Sequence, residues 1–288
     1  MNRDRFETRL FGVLRWVVLG VLAVLTLFPF YYMILLSIRP VENLLAEPGR
    51  LWVGFSEWTT KTYQEVLSSP ESGGQGMLDL LVNSAIVSLS TMVLTLLVSI
   101  PGAYAISRLR FFGREKVHFL FLAVYMFPAI LLAVPLFVLF TKLGLRDSLP
   151  GLTIVYIAQT LPVSIYMLRT YLSSIPVGIE EAAMIDGCSR WQVMWRVTMP
   201  LAAPAIMANA LYVFMIAWNE FLFALLFLAA DRSKWTVPLG LAQLAGGIEV
   251  PKTVLMAGSV VLTIPIVILF YAAQRMLTEG LTSGADKG

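Results

Sequence analysis

The chain has 288 residues, of which 58% are hydrophobic and only 14% are charged, and its formal net charge is +3. Soluble globular domains carry roughly 25% charged residues and disordered chains have low hydrophobicity, so both classes are excluded. The remaining solvent is a lipid bilayer, and the small positive charge fits basic cytoplasmic loops better than nucleic-acid binding. One cysteine and one histidine also exclude a disulfide framework and a Cys/His zinc site within the chain.

Long stretches without charged residues predict the membrane-spanning helices. A helix needs about 20 mostly apolar residues to cross a bilayer. Six stretches of the sequence reach that length, although the fifth contains one charged residue, Glu220. The sequence therefore predicts an all-α integral membrane fold with six transmembrane helices, at 16–38, 80–107, 117–141, 148–170, 201–230 and 253–274.

The distribution of lysine and arginine predicts the orientation of these helices. With the N-terminus inside, 13 of the 21 basic residues fall in cytoplasmic segments, and four of them crowd the short loop Arg108–Lys116. Basic residues near the ends of transmembrane helices are retained in the cytoplasm. We therefore expect a cytoplasmic N-terminus (1–15), an external segment (39–78) and a cytoplasmic tail (275–288). The first stretch is too long for the core of a secretory signal and is expected to remain as a helix.

The cytoplasmic segment 173–200, between the fourth and fifth predicted helices, is expected to form two short helices. Glu180–Glu181 fall in the first turn of the first helix, where the helix dipole favours carboxylates. Gly187 can end this helix in a left-handed backbone conformation. Ser189 is expected to cap the second helix, which Pro200 ends. Helices that lie on lipid are usually rich in lysine and arginine, so the acidic first helix favours a protein partner instead.

A spaced pattern within this segment resembles the signature of ABC importer permeases, Glu-Ala-Ala-x3-Gly-x9-Ile-x-Leu-Pro. Valine replaces the isoleucine and methionine replaces the leucine, and both changes keep an apolar side chain. The resemblance implies a type I ABC importer transmembrane domain over 77–274, and it implies that this loop docks on a cytoplasmic ATPase. The residues it assigns to ATPase coupling are Glu181, Ala182, Ala183, Gly187 and Pro200.

Three consecutive residues in the fifth predicted helix, Trp218, Asn219 and Glu220, resemble a motif of maltose-type sugar permeases. A carboxylate within a bilayer costs roughly 2.5–3.5 kcal/mol on insertion scales, so Glu220 is expected to face a partner or a wet cavity. One interpretation places these residues in the wall or gate of the translocation path. The alternative is a contact between helices in which Trp218 and Asn219 satisfy the carboxylate.

The external loop after the fifth predicted helix contains Gln243, Gly246 and Gly247. In maltose-type permeases the corresponding loop reaches into the solute-binding protein. The resemblance therefore implies that these three residues contact such a protein, since two adjacent glycines permit a narrow loop tip.

No Gly-x4-Gly-Lys-Ser/Thr phosphate-binding loop occurs in the sequence, and no catalytic or metal-binding residue is expected. The resemblance implies that ATP and Mg²⁺ bind to partner ATPase subunits, and that the chain is a permease for a carbohydrate in a bacterial or archaeal cell membrane. The implied partners are a second permease, two ATP-binding cassette subunits, an external solute-binding protein and lipid. The alternative is an ion-gradient-driven transporter that uses Glu220, although such transporters usually contain internal repeats.

Overall fold

The computed structural model describes residues 3–247 and 250–285, and within them the chain forms helices and no strands. This confirms the predicted all-α fold. The helices are α1 (Arg3–Ser37), α2 (Val41–Ala46), α3 (Lys61–Leu67), α4 (Met77–Arg108), α5 (Arg114–Met126), α6 (Ala129–Lys142), α7 (Leu149–Ser174), α8 (Val177–Ile185), α9 (Arg190–Val193), α10 (Met199–Leu201), α11 (Ala203–Asn219), α12 (Leu222–Leu228), α13 (Val237–Gly246) and α14 (Lys252–Ala285).

Within the described residues, four helices are each long and apolar enough to cross a membrane: Leu10–Ser37, Met77–Arg108, Leu149–Ser174 and Lys252–Met276. The most apolar part of the first, within α1, has no buried residue. Such a continuous apolar surface must be covered by lipid or by another protein. Helix α14 continues to Ala285, so the predicted tail begins inside this helix, and its residues 286–288 lie outside the described part of the chain.

The third predicted helix, 117–141, is not continuous. Its apolar residues form a pair of helices, Phe119–Met126 and Ala129–Lys142, which are bent by 92° with respect to each other. The break falls at Pro128, and the preceding Phe127 has extended backbone angles (φ −76°, ψ 126°). The proline ring disfavours the helical conformation in the residue before it, which explains the end of α5.

The fifth predicted helix, 201–230, has one break at its predicted start and a second within it. The helical stretch Arg190–Leu201 and α11 meet at an angle of 77°, where Ala202 leaves the helical conformation (φ −88°, ψ 2°). The second break is at Glu220, whose backbone is extended (φ −68°, ψ 132°). If each bent pair counts as one crossing, the described residues contain up to six membrane-spanning segments.

The chain divides into two compact units, Met1–Met77 with Leu241–Thr263 and Leu78–Gly240 with Ile264–Gly288. In the first unit, Arg39 is 1% exposed and donates hydrogen bonds to three backbone carbonyl oxygens, those of Asn43 (2.7 Å), Glu47 (2.7 Å) and Arg50 (3.2 Å). These bonds fold the chain after α1 around one guanidinium group. The predicted external segment 39–78 therefore has an ordered structure that includes α2 and α3.

The second unit contains two clusters of buried apolar residues. One lies around the phenylalanines of α12 and includes Tyr156 of α7. The other joins the C-terminal halves of α4 and α7 to the segment before α11, and it contains Ile100, Ala103, Tyr104, Leu168, Leu172, Ile175, Met194, Met199 and Ala202. Tyr104 of this second cluster also donates a hydrogen bond to Glu180 of α8.

Candidate functional site

Helix α8 ends in a compact turn that requires a glycine. The N–H of Cys188 donates to the carbonyl of Ala183 (3.0 Å), and the N–H of Gly187 donates to the carbonyl of Met184 (3.1 Å). These two bonds define a Schellman motif, in which the residue after the helix adopts a left-handed conformation. Gly187 does so with φ +92°, in agreement with the sequence-based expectation for this position.

The second short helix begins at Ser189 with a capping box. The backbone N–H of Ser189 donates to Oε1 of Gln192 (2.8 Å), and the N–H of Gln192 donates to Oγ of Ser189 (3.4 Å). The helical stretch that begins here ends at Leu201, one residue after the predicted end at Pro200. It passes through a π-helical turn, Met194–Thr198, into α10, where proline occupies a first-turn position that needs no N–H donor.

The outer side of α8 is exposed and combines apolar with acidic side chains. Every residue of α8 is exposed except Glu180, which is buried, and Ala183, which is half-buried. Ile185 is 86% exposed, and Glu181 lies on the same open side of the helix. We call this surface the α8 patch, and it comprises Ile179, Glu181, Ala182, Met184 and Ile185. Contiguous exposed apolar groups mark sites of interaction with proteins or membranes.

The inner side of α8 is fixed by Glu180. One carboxylate oxygen, Oε1, accepts hydrogen bonds from Nε of Arg108 (2.8 Å) and from Oγ1 of Thr198 (2.9 Å). The other oxygen accepts one from the hydroxyl of Tyr104 (3.3 Å). Sequence reasoning treated Glu180 only as an acid favoured by the helix dipole and missed these contacts. A usable signal was the three-residue spacing of Glu180 and Ala183, which places both on one face of a helix.

The residues that the signature assigns to coupling therefore lie in different environments in the structure. Glu181 and Ala182 belong to the α8 patch, Ala183 is half-buried, and Gly187 forms the exposed turn after α8. Pro200 does not belong to α8, because it lies in α10 beyond the π-helical turn.

Glu220 is held at the break between α11 and α12. Its carboxylate accepts hydrogen bonds from the hydroxyl of Tyr156 (2.5 Å) and from the backbone N–H groups of Phe223 (2.9 Å) and Ala224 (3.1 Å). The carboxylate thus caps the first turn of α12, where N–H groups have no partner within the helix. Sequence reasoning missed Tyr156, which lies 64 residues away in α7.

The two neighbours of Glu220 in the predicted gate motif differ in exposure. Trp218 is buried and stacks on Phe214, with ring centroids 5.3 Å apart. Asn219 is exposed, and its side-chain amide donates to the carbonyl of Met215 (2.8 Å) rather than to Glu220. Of the three residues in the motif, Asn219 presents the most accessible side chain.

The residues expected to contact a binding protein lie at the end of a helix rather than in an open loop. Gln243 and Gly246 are exposed residues of α13, and the exposed Gly247 follows it directly. The next two residues of the predicted loop, 248 and 249, lie outside the described part of the chain. Among the residues described, no group of three or more His, Cys, Asp or Glu side chains could hold a metal ion.

Replacing Gly187 by alanine should destabilise the turn after α8. No atom lies within 4 Å of the added methyl group, so its effect arises from the left-handed backbone alone. An L-residue in this conformation costs roughly 1–2 kcal/mol relative to glycine. We expect a loss of this size in thermal unfolding of the purified chain, and a smaller loss for Gly187→Asn. An unchanged unfolding midpoint for Gly187→Ala would show that the turn can take another conformation.

The sequence and the fold both have close counterparts among known proteins. The model of the family described as "Binding-protein-dependent transport system inner membrane component" matches residues 96–283. The trehalose/maltose transport system permease protein MalG of Thermococcus litoralis is 40% identical, over 93% of this chain and 94% of its own. The inner membrane ABC transporter permease protein YcjP of Escherichia coli is 38% identical over 94% of each chain.

A solved structure with the same fold comes from a bacterial ABC transporter involved in the import of the acidic polysaccharide alginate. One of its chains matches with a TM-score of 0.79 and 26% identity, over 93% of this chain and 97% of that one. The match extends beyond the family region to nearly the whole chain, including helices of both units. The chain belongs to the family of inner membrane components of binding-protein-dependent transport systems.

Proposed function

We propose that this chain is the permease subunit of an ATP-driven importer for a carbohydrate, and that it couples to an ATPase through α8. The observation that carries the proposal is the α8 patch, which exposes apolar and acidic side chains on a helix whose inner side is fixed by a buried carboxylate. A helix that only connected α7 to α9 would have no need to expose an isoleucine side chain on its surface. A helix that transmits a movement needs an outer surface for its partner and a firm inner attachment.

The proposed topology has both termini in the cytoplasm. The boundaries are an N-terminal segment 1–15, a first helix 16–38, an external segment 39–78, a permease core 77–274 with the coupling segment 173–200, and a tail 275–288. Support comes from the basic residues, which concentrate in the segments assigned to the cytoplasm. This topology places the α8 patch on the side where ATP is available.

The proposed mechanism is alternating access. A loaded solute-binding protein docks on the external side, where Gln243, Gly246 and Gly247 contact it. ATP and Mg²⁺ bind to two ATPase subunits, whose closure moves α8 and opens the membrane helices outward. Within α8, Glu181 makes a charge-assisted contact and the two alanines, Ala182 and Ala183, permit close approach. Gly187 forms the turn, and Pro200 begins the return toward the membrane.

The composition of the complex follows from the number of coupling sites. This chain carries one coupling helix, whereas two ATPase subunits offer two docking clefts. A second permease is therefore required, and each permease forms half of the translocation path. The carbohydrate class is supported by the relatives, which include a trehalose/maltose permease and a chain of an alginate importer.

Glu220 supports this function better than ion-driven transport. Its two oxygens already accept hydrogen bonds from Tyr156, Phe223 and Ala224, so the carboxylate is engaged within the chain and poorly suited to bind a transported ion. We assign Glu220 and Trp218 to holding the break between α11 and α12. The exposed Asn219 then lines the translocation path or its gate.

Reversing the charge of Glu181 tests the coupling role. A hydrogen bond to a charged group contributes about 1.5–3 kcal/mol, and its loss lowers affinity by roughly 10- to 100-fold. We expect Glu181→Lys to lose the ATPase subunits on purification and to lose ATP hydrolysis stimulated by the binding protein. The matched control is Glu71→Lys, the same reversal at an exposed glutamate in the proposed external segment, which should behave as the wild type.

Two results would contradict the proposal at different levels. If Glu181→Lys retains its ATPase and hydrolyses ATP as Glu71→Lys does, Glu181 has no role in coupling. If the wild-type chain purifies without an ATPase and transports without ATP, the importer function itself is wrong.

A further inference from the structure

The carboxylate of Glu180 and the guanidinium of Arg108 form a buried ion pair between α8 and the C-terminal end of α4. Nε of Arg108 lies 2.8 Å from Oε1 of Glu180, and the side chains are only 7% and 5% exposed. Arg108 is also the basic residue in the last turn of α4, and Glu180 is the acidic residue in the first turn of α8. Each charge therefore lies at the helix end whose dipole stabilises it.

This ion pair connects α8 to further elements of the same unit. Nη2 of Arg108 donates to the backbone carbonyl of Ile175 (2.9 Å), the residue that ends α7. Oγ1 of Thr198 donates to the same carboxylate oxygen as Arg108, and Thr198 closes the π-helical turn that leads toward α11. The carboxylate of Glu180 thus holds α8 to the end of α4 and to the segment before α11, and its partner Arg108 also bonds to the end of α7.

Helix α4 differs from the other two elements because it is remote from α8 in the sequence. The chain itself links α8 to α7 on one side and to α9 on the other, whereas Arg108 precedes Glu180 by 72 residues. A displacement of α8 can reach α7 and α11 through the backbone. It reaches the end of α4 through side chains, of which Arg108 and Tyr104 contact Glu180 directly.

A buried ion pair is suited to transmitting movement because its separation leaves two uncompensated charges in a medium of low dielectric constant. Apolar side chains of similar volume could stabilise the fold equally well, but they would lack the directional, charge-assisted hydrogen bonds that fix the two helix ends to each other. We infer that Arg108 and Glu180 are positioning residues that make the end of α4 move together with α8 when the ATPase subunits close. This inference rests on the coupling role proposed above for the outer side of α8.

A distance measurement on the assembled complex tests the inference without disturbing the ion pair. Cys188 is the only cysteine of the sequence and lies in the turn after α8, so it can carry one spin label. A second label at Leu109→Cys reports on the end of α4, because the N–H of Leu109 bonds to the carbonyl of Ala105. We expect the distance between the labels to be the same without nucleotide and with ATP and vanadate. A change of the size of a helical turn, about 5 Å, would overturn the inference.

Variants of the pair test its effect on coupling. Glu180→Met combined with Arg108→Met removes both charges and leaves neither one unpaired, so it should permit assembly. We expect the ATPase subunits to co-purify while the stimulation of ATP hydrolysis by the binding protein falls by about 5- to 150-fold, the usual range of coupling between sites. The control is Arg110→Met, at an exposed arginine next to the pair, which should keep full stimulation.

The outcomes separate this inference from the coupling role of α8. Full stimulation in an assembled double variant would refute the inference and leave the role of Glu181 intact. Failure of the wild-type chain to bind an ATPase would refute the proposed function itself. A merely structural role of the pair would lower the yield of complex without changing the stimulation per assembled complex. If the double variant does not assemble, the inference is tested by the distance between the two spin labels in the complex that keeps the ion pair.

Discussion

Replacing Glu220 by alanine should destabilise the chain by about 3 kcal/mol, because removal of the carboxylate leaves several buried donors unpaired, each at a cost of roughly 1–3 kcal/mol. The hydroxyl of Tyr156, a fully buried residue, loses its acceptor. The N–H groups of Phe223 and Ala224 lose the cap of α12. The unfolding midpoint of the purified chain in detergent should fall by several degrees, as followed by circular dichroism.

The adjacent residue supplies the control for this experiment. Asn219→Ala removes a single hydrogen bond, to the carbonyl of Met215, at an exposed position, and should cost less than about 1 kcal/mol. Combined with Tyr156→Phe, the loss of Glu220 should cost less than in the wild type, because the phenol no longer needs an acceptor. Equal stability of Glu220→Ala and Asn219→Ala would show that the carboxylate does not hold the break.

Replacing Gly151 by alanine should have a comparable effect through a steric clash. The added methyl group would lie 2.2 Å from the carbonyl oxygen of Leu145 and 2.9 Å from Oγ of Ser148. Ser148 caps α7 by accepting a hydrogen bond from the N–H of Gly151 (3.1 Å). To relieve the clash, the backbone before α7 must shift or the cap must be lost. Overpacking and loss of the cap together should lower the free energy of unfolding by about 3 kcal/mol.

Gly178 in α8 is the matched control for this substitution. No atom lies within 4 Å of the methyl group that alanine would add there, and alanine favours a helix over glycine by up to about 1 kcal/mol. Gly178→Ala should therefore leave the unfolding midpoint unchanged or raise it slightly, whereas Gly151→Ala lowers it. The argument fails if both variants unfold at the same temperature.

The sequence was sufficient for the fold class, and its apolar stretches coincide with the long apolar helices of the structure. Both depend on quantities that are additive along the chain, namely the number of charges and the length of apolar stretches. Helices α4 and α14 contain the second and sixth predicted stretches, at 80–107 and 253–274, and α7 covers the fourth, at 148–170, except for its N-cap residue Ser148.

The break at Pro128 in the third predicted helix and the break at Glu220 in the fifth did not follow from hydropathy. Hydropathy measures whether a segment can lie in lipid, and it does not measure its direction. Proline was not a reliable marker, because Pro101, Pro162 and Pro265 lie inside continuous helices whereas Pro128 marks a break. Neighbouring groups can satisfy the backbone around a proline, and their presence depends on packing. At Glu220 the break depends on a hydroxyl from α7.

The sequence by itself predicted the two short helices of the segment 173–200 and the turn at Gly187, because a glycine in a left-handed conformation after a helix is a local property of the backbone. It could not distinguish the two adjacent glutamates of that segment. The tertiary structure buries Glu180 against Arg108 and leaves Glu181, about 100° further around α8, exposed. The reason is that the environment of a side chain depends on which distant helices pack against each face, and α4 meets α8 only in the folded chain.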